Sequence, residues 1–143
     1  MNRQYCASTY CIDFNKQTVL LMYNKKLNKW LQPGGHIGGV ETPQENAIRE
    51  TLEETGINIK IIGPSFDGDN VEPIAVCRYL NKVGDMIDIQ YLSIPLSWEL
   101  KNDENNKTIW YPLIDLFESD EIDKEIKEKV QQLYEEYKDK VVI

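Results

Sequence analysis

The chain has 143 residues, a formal net charge of −8, 41% hydrophobic and 28% charged residues, and three cysteines. That length and balance suit one soluble globular domain with a proper core, and the acidity argues against nucleic acid as a partner, since backbone binding rests on clustered Lys and Arg. No run approaches the length of a membrane span and the N-terminal segment lacks a signal peptide's apolar core, so no membrane partner and a cytoplasmic location are expected.

In chain order, residues 5–14 and 18–23 read as strands joined by a short turn at 15–17. A basic turn, Lys25-Lys26-Leu27-Asn28-Lys29, leads to Trp30-Leu31. A glycine loop at 34–39 and a helix at 43–55 follow. Residues 57–62 make another strand, 65–70 a polar loop, and 74–80 and 86–94 two further strands separated by a turn at 81–85. An acidic, Asn-rich loop at 101–107 precedes a short strand at 109–112 and a turn of helix at 113–117. A terminal amphipathic helix starts near Asp120, with Ile122, Ile126, Val130, Leu133 and Tyr137 on its buried face. Cys6, Cys11 and Cys77 show neither metal nor disulfide spacing. Cys6 and Cys11 lie five apart on one strand and face opposite sides, so they cannot pair. Strands, a central helix, more strands and a terminal helix make an α/β protein with a mixed sheet.

The helix at 43–55 is specified locally. Thr42 caps its N-terminus, Pro43 takes the first helical position, Glu45 completes a capping box, and Gly56 ends it. Ala47, Ile48, Thr51, Leu52 and Thr55 form one stripe for the core. Glu50, Glu53 and Glu54, at i, i+3 and i+4, crowd together on another face. They repel one another and sit at the negative end of the helix dipole, a placement that costs stability if the helix is only structural. Arg49 pairs with Glu53 at i, i+4 but does not neutralise three carboxylates. A divalent cation that prefers oxygen would, which points to Mg²⁺ or Mn²⁺. With such a cation bound, the local field reverses and an acidic site can hold a small polyphosphate.

The pattern Gly35-x5-Glu41-x7-Arg49-Glu50-x2-Glu53-Glu54-x-Gly56-Ile57 resembles the box of the Nudix hydrolases. Trp30-x-x-Pro33-Gly34-Gly35 just ahead of it is also similar to that family. Thr51 departs from the family's aliphatic preference, and the glycine usual before Glu41 is replaced by Gly38-Gly39-Val40. The resemblance implies a single Nudix domain over 1–143, folded as an α/β/α sandwich. It implies a Mg²⁺-dependent (or Mn²⁺-dependent) pyrophosphohydrolase acting on a nucleoside diphosphate linked to another moiety, nucleoside triphosphates included. Glu50, Glu53 and Glu54 would hold the metal and Arg49 would orient them, while a glutamate of the cluster or a remote acid would serve as base. For the remote acid Glu104 is the first choice, with Asp103 and Glu99 as rivals. A silent Nudix-like nucleotide sensor is the alternative, though such domains typically lose box glutamates.

Arg78, Lys29, Gly35 and Glu41 are the candidates for the substrate side, with Lys25 and Lys26 beside Lys29. A purely capping role for Glu41 stays open. Trp30, Trp110 and Tyr111 serve either base stacking or the core. His36, the one histidine, lacks the company of a zinc site. Asp88 and Gln90 point to one face of their strand, a candidate for the cleft side. Pro73, sixteen residues past Ile57, stands near a proline of ADP-ribose-type members, but its neighbours do not match that signature.

Overall fold

A computed structural model describes residues 2–82 and 84–141. Strands β1 (Arg3–Asp13), β2 (Thr18–Asn24), β3 (Lys29–Leu31) and β4 (Gly34–His36) precede helix α1 (Pro43–Thr55). Then come β5 (Ile59–Ile62), a small ribbon of β6 (Ser65–Asp67) and β7 (Asn70–Val71), and the hairpin of β8 (Ala75–Asn81) and β9 (Gly84–Pro95). The chain ends with β10 (Thr108–Pro112), α2 (Leu113–Glu118) and α3 (Lys124–Tyr137).

β1 is the strand on which the sheet is assembled. It pairs in parallel with β9, from Arg3 opposite Asp85 to Cys11 opposite Ser93, and antiparallel with β2 and β4. The path across the sheet runs β10-β2-β1-β9-β5, with β3 on β2, β4 on β1 and β8 on β9. A strand in this position is covered on both faces, and β1 is buried without a break from Cys6 to Asp13. The period of two then divides its side chains. Tyr10 and Ile12 join Val19, Leu21 and the apolar faces of α2 and α3, whereas Ala7 and Cys11 join Leu20, Ala47, Ile57 and Ile61 on the α1 side. The result is an α/β/α sandwich with a mixed sheet.

The helix expected at 43–55 has those bounds, with the capping box formed in both directions and Gly56 in the left-handed conformation at φ 80°. Its buried face differs in detail: Leu52 is 42% exposed, and Asn46 is fully buried in the core-facing stripe. The loop expected at 65–70 is the β6–β7 ribbon, which Gln44 pins to α1 by donating to Asp69 O and accepting from Val71 N. Residues 29–31 and 34–36 form strands too short for a periodic signal. The terminal helix begins at Lys124, and its buried face includes Ile126, Val130 and Leu133 as expected. Val83, in the turn expected at 81–85, lies outside the described residues.

Candidate active site

A cavity of about 670 Å³ opens on the α3 side of the sheet. Glu50 and Glu54 of α1 border it, as do Lys25 and Lys26 of the β2–β3 turn and Lys29 at the start of β3. Cys6, Ser8 and Asp88 lie on the sheet, and Glu125 and Ile126 come from the first turn of α3. Lys29 closes one wall through an ion pair of 3.0 Å to Asp123, the residue before α3.

The approach of α1 to the sheet is set by two glycines. A Cβ on Gly34 would stand 2.3 Å from Ala7 O and 2.6 Å from Ser8 Cβ; on Gly35 it would stand 2.5 Å from Glu50 Cδ. Gly34 N donates to Glu54 Oε1 at 3.1 Å, so the close approach of β4 to β1 places a backbone donor against this carboxylate.

Arg49 is the hub of the acidic face. Its Nε and Nη2 donate to Oε2 and Oε1 of Glu41 at 2.9 and 2.8 Å, and its Nη1 lies 3.1 Å from Glu50 Oε1 and 3.0 Å from Glu53 Oε2. Glu41 also accepts from Asn46 Nδ2 at 2.8 Å and Gly38 N at 3.0 Å. The guanidinium above all, then the Asn46 amide and the Gly38 N–H, hold Glu41 well below the usual carboxylate range. Glu41 therefore anchors Arg49 in place, and the cap of α1 belongs to Thr42 and Glu45. Asn46, absent from the sequence-based candidates, ties this anchor to the glycine loop by donating to His36 O at 2.7 Å. A buried asparagine inside a helix is the one local sign of such a role.

Glu54 behaves in the opposite way. Burial first, and the charge of Glu50 second, push its carboxyl up to about 7. Lys101, whose Nζ donates to Glu53 O at 3.3 Å, and Asn106, whose amide donates to Glu54 O, cap the carbonyl end of α1 from the 101–107 loop. The cation missing from the last turn of the helix thus comes from a loop distant in sequence.

Several sequence candidates lie elsewhere. Glu104 is exposed and does not border the cavity, although its neighbours Asn105 and Asn106 do; its backbone O accepts from Lys25 Nζ at 3.4 Å. Asp103 bonds Asn105 N within its own turn, and Glu99 is exposed. Arg78 is exposed and held by Asp85 at 3.0 Å, on the face of β8 that pairs with Ile87 and away from Asp88. Trp30, Trp110 and Tyr111 pack against the two cores, and the aromatic rings at the cavity are Tyr23 and Tyr79. His36 borders the cavity as an exposed side chain. Cys6 borders it too, but burial and the nearby charges of Asp88 and Glu50 push its thiol up to about 11, which leaves it a poor nucleophile.

The donor set at the acidic face is oxygen only. Glu50 and Glu54 share one wall, where Arg49 Nη1 and Gly34 N offset only part of their repulsion, and Glu53 is turned to Arg49. Among the described residues no three His, Cys, Asp or Glu side chains form a ready-made metal cage. A hard divalent cation fits this chemistry, because it would offset the burial of the Glu54 charge and its repulsion with Glu50.

A sandwich with a mixed sheet and a carboxylate-bearing helix beside a cavity is the Nudix architecture. Residues 4–133 match the NUDIX domain, and the chain belongs to the Nudix hydrolase family. A NUDIX-family hydrolase of known structure from Clostridium perfringens superposes with a TM-score of 0.80 at 26% identity, covering 94% of this chain and 98% of that one. A Bacillus subtilis (strain 168) protein provisionally named an 8-oxo-dGTP diphosphatase is 40% identical over 55 residues, or 38% of this chain and 37% of its own length. The uncharacterized Nudix hydrolase YvcI of the same strain is 27% identical over 114 residues, covering 76% of this chain and 66% of that one. In these matches the chain spans less than two thirds of either Bacillus protein.

Proposed function

We propose that this hydrolase is a Mg²⁺-dependent, or Mn²⁺-dependent, pyrophosphohydrolase of nucleoside diphosphate derivatives, nucleoside triphosphates included. In this reading residues 1–143 act as one domain in the cytoplasm, and the partner is a small nucleotide. The observation that carries it is the placement of Glu50 and Glu54 on one wall of the cavity, with Arg49 tethered to Glu41 beside them.

Glu50, Glu53 and Glu54 would hold the cation, Glu53 by exchanging Arg49 for it. Bound there, a divalent cation neutralises phosphate oxygens and acidifies water. Arg49 fixes the direction of Glu50 and keeps the acidic face from splaying. Lys25 and Lys26 offer cations to the outer phosphates, and Lys29 joins them where it exchanges Asp123 for phosphate. Water attacks one phosphorus of the anhydride: a water O–P bond forms, the bridging P–O bond breaks, and the bridging oxygen leaves with the other phosphate fragment. A carboxylate of the Glu50/Glu54 pair takes the water proton. Glu104 is set aside as base because its side chain does not border the cavity. Arg78 is set aside as a phosphate contact because Asp85 holds it on the other face.

The test is product release from a panel of nucleoside triphosphates and nucleoside diphosphate conjugates, with and without Mg²⁺. The name of one relative recommends 8-oxo-dGTP for that panel. Metal-dependent release of a monophosphate is the expected result; binding without turnover would favour a silent sensor.

A further inference from the structure

The sheet floor of the cavity holds a built polar site that the hydrolytic chemistry does not use. Asp88 borders the cavity from the centre of the sheet and is 7% exposed. Its Oδ2 is fully engaged, accepting from Ser8 Oγ at 2.8 Å and Gln90 Nε2 at 3.1 Å. Its Oδ1 is buried and has no hydrogen-bond partner among the described residues. The same Gln90 amide donates to Tyr79 Oη at 3.0 Å, and Tyr79 in turn donates to Glu125 Oε1 at 2.6 Å. Ser8, Gln90 and Tyr79 therefore lock the orientation of Asp88.

A buried carboxylate oxygen left without a donor is costly, so a site that keeps one gains when a donor arrives. Burial pushes the Asp88 carboxyl up, and the two donors on Oδ2 pull it back toward the charged form. The cations that could serve phosphates are Lys25 and Lys26 of the β2–β3 turn and Lys29 at the start of β3, while Asp88 and Glu125 present acceptors. A cavity of about 670 Å³ has room for a nucleotide. Two acceptors, Asp88 and Glu125, repel phosphate oxygens and suit an uncharged, N–H-bearing part of the nucleotide, while the phosphates belong with the cation at α1.

We propose that Asp88 is a specificity-determining residue that accepts a hydrogen bond from an N–H group of the substrate's nucleobase through Oδ1, the oxygen that Ser8 and Gln90 leave free. This rests on the nucleotide hydrolase reading above. A site built to hydrogen-bond a donor rejects ligands lacking it strongly, because the buried acceptor is then stranded.

The experiment compares kcat/KM for ATP, CTP, GTP and UTP with that for ribose 5′-triphosphate, which keeps the sugar and phosphates and lacks a base. Asp88→Asn preserves shape and replaces one acceptor oxygen by a donor. It should lower the preference for the best nucleotide over ribose 5′-triphosphate about tenfold or more, mainly through KM, with ribose 5′-triphosphate turnover retained. Ser8→Ala, which frees Asp88 to turn, should lower the same ratio with the carboxylate still present. An unchanged ratio, including a parallel loss on all substrates, overturns the proposal. If the parent hydrolyses none of these compounds, the same ratio taken from calorimetric Kd values in Mg²⁺ decides the role of Asp88, and the hydrolase reading is decided separately on the nucleoside diphosphate conjugates. Absence of any nucleotide binding overturns both.

Discussion

Arg49 and Glu41, eight residues apart, are joined by two parallel hydrogen bonds of 2.9 and 2.8 Å, and the remaining nitrogen of the same guanidinium reaches Glu50 and Glu53. One planar cation thus couples the glycine loop to the acidic face of α1. A lysine carries the charge but not the fork. Arg49→Lys should therefore lower kcat about tenfold or more, and Glu41→Gln should do the same. Because the two act as a unit, the double variant should be little worse than either single one. Steady-state kinetics of the three variants checks this; strictly additive losses would show that Arg49 and Glu41 act separately.

Excess chelator should abolish turnover, and Mg²⁺ or Mn²⁺ should restore it. Glu50→Gln and Glu54→Gln should each lower kcat by about 10²-fold or more, the scale of a lost transition-state electrostatic contact. Glu104→Gln should stay close to the parent, since its side chain does not border the cavity. A large loss in Glu104→Gln would return that loop to the chemistry.

The raised Glu54 carboxyl gives the metal-free protein a definite pH signature. Its folded value of about 7 exceeds the ordinary 4.5, so the folded state binds the extra proton. The associated stability is full below about 4.5 and is lost as pH rises through about 7. Gln mimics the neutral carboxyl and still accepts from Gly34 N. In chelator, Glu54→Gln should melt with the parent at pH 5 and above it at pH 8. A lower melting temperature at pH 8 would mean that the charged carboxylate serves the fold.

The two glycines ahead of α1 should respond differently to one added methyl group. In Gly34→Ala the Cβ meets backbone at Ala7 O, which cannot retreat, so the melting temperature should fall sharply. In Gly35→Ala it meets the far end of the Glu50 side chain, which can swing aside. That variant should fold and lose activity. Thermal melts beside turnover separate the cases; equal destabilisation by both would refute the distinction.

The sequence carried the local parts of this arrangement well. The caps of α1 and the i, i+3, i+4 spacing of its glutamates depend on neighbours within a turn or two, and both were legible. The anchor on Glu41 was not, because Asn46 acts through His36 O and the glycine loop folded against β1. The face of Arg78 was not legible either, because the pairing of β8 with β9 decides it, and that register puts Arg78 with Ile87 and not with Asp88. The 101–107 loop suggested a remote acid. Its contacts with the end of α1 come from Lys101 and Asn106, which reach the carbonyls of Glu53 and Glu54 only once the chain has folded back.

The parallel pairing of β1 with β9 also fixes the order in which a growing chain can become this protein. Tyr5 waits for Ile87, and Cys11 for Ser93, so the strand at the very beginning finds its long partner only after some eighty residues have been made. Until then the apolar residues of β1 lie open to wrong partners. The cavity needs still more, since Glu125 and Ile126 complete it from α3. A nascent chain ending before β9 therefore possesses the whole glutamate helix and the strands β1 and β4 beneath it, but neither Asp88 nor the α3 wall of the cavity.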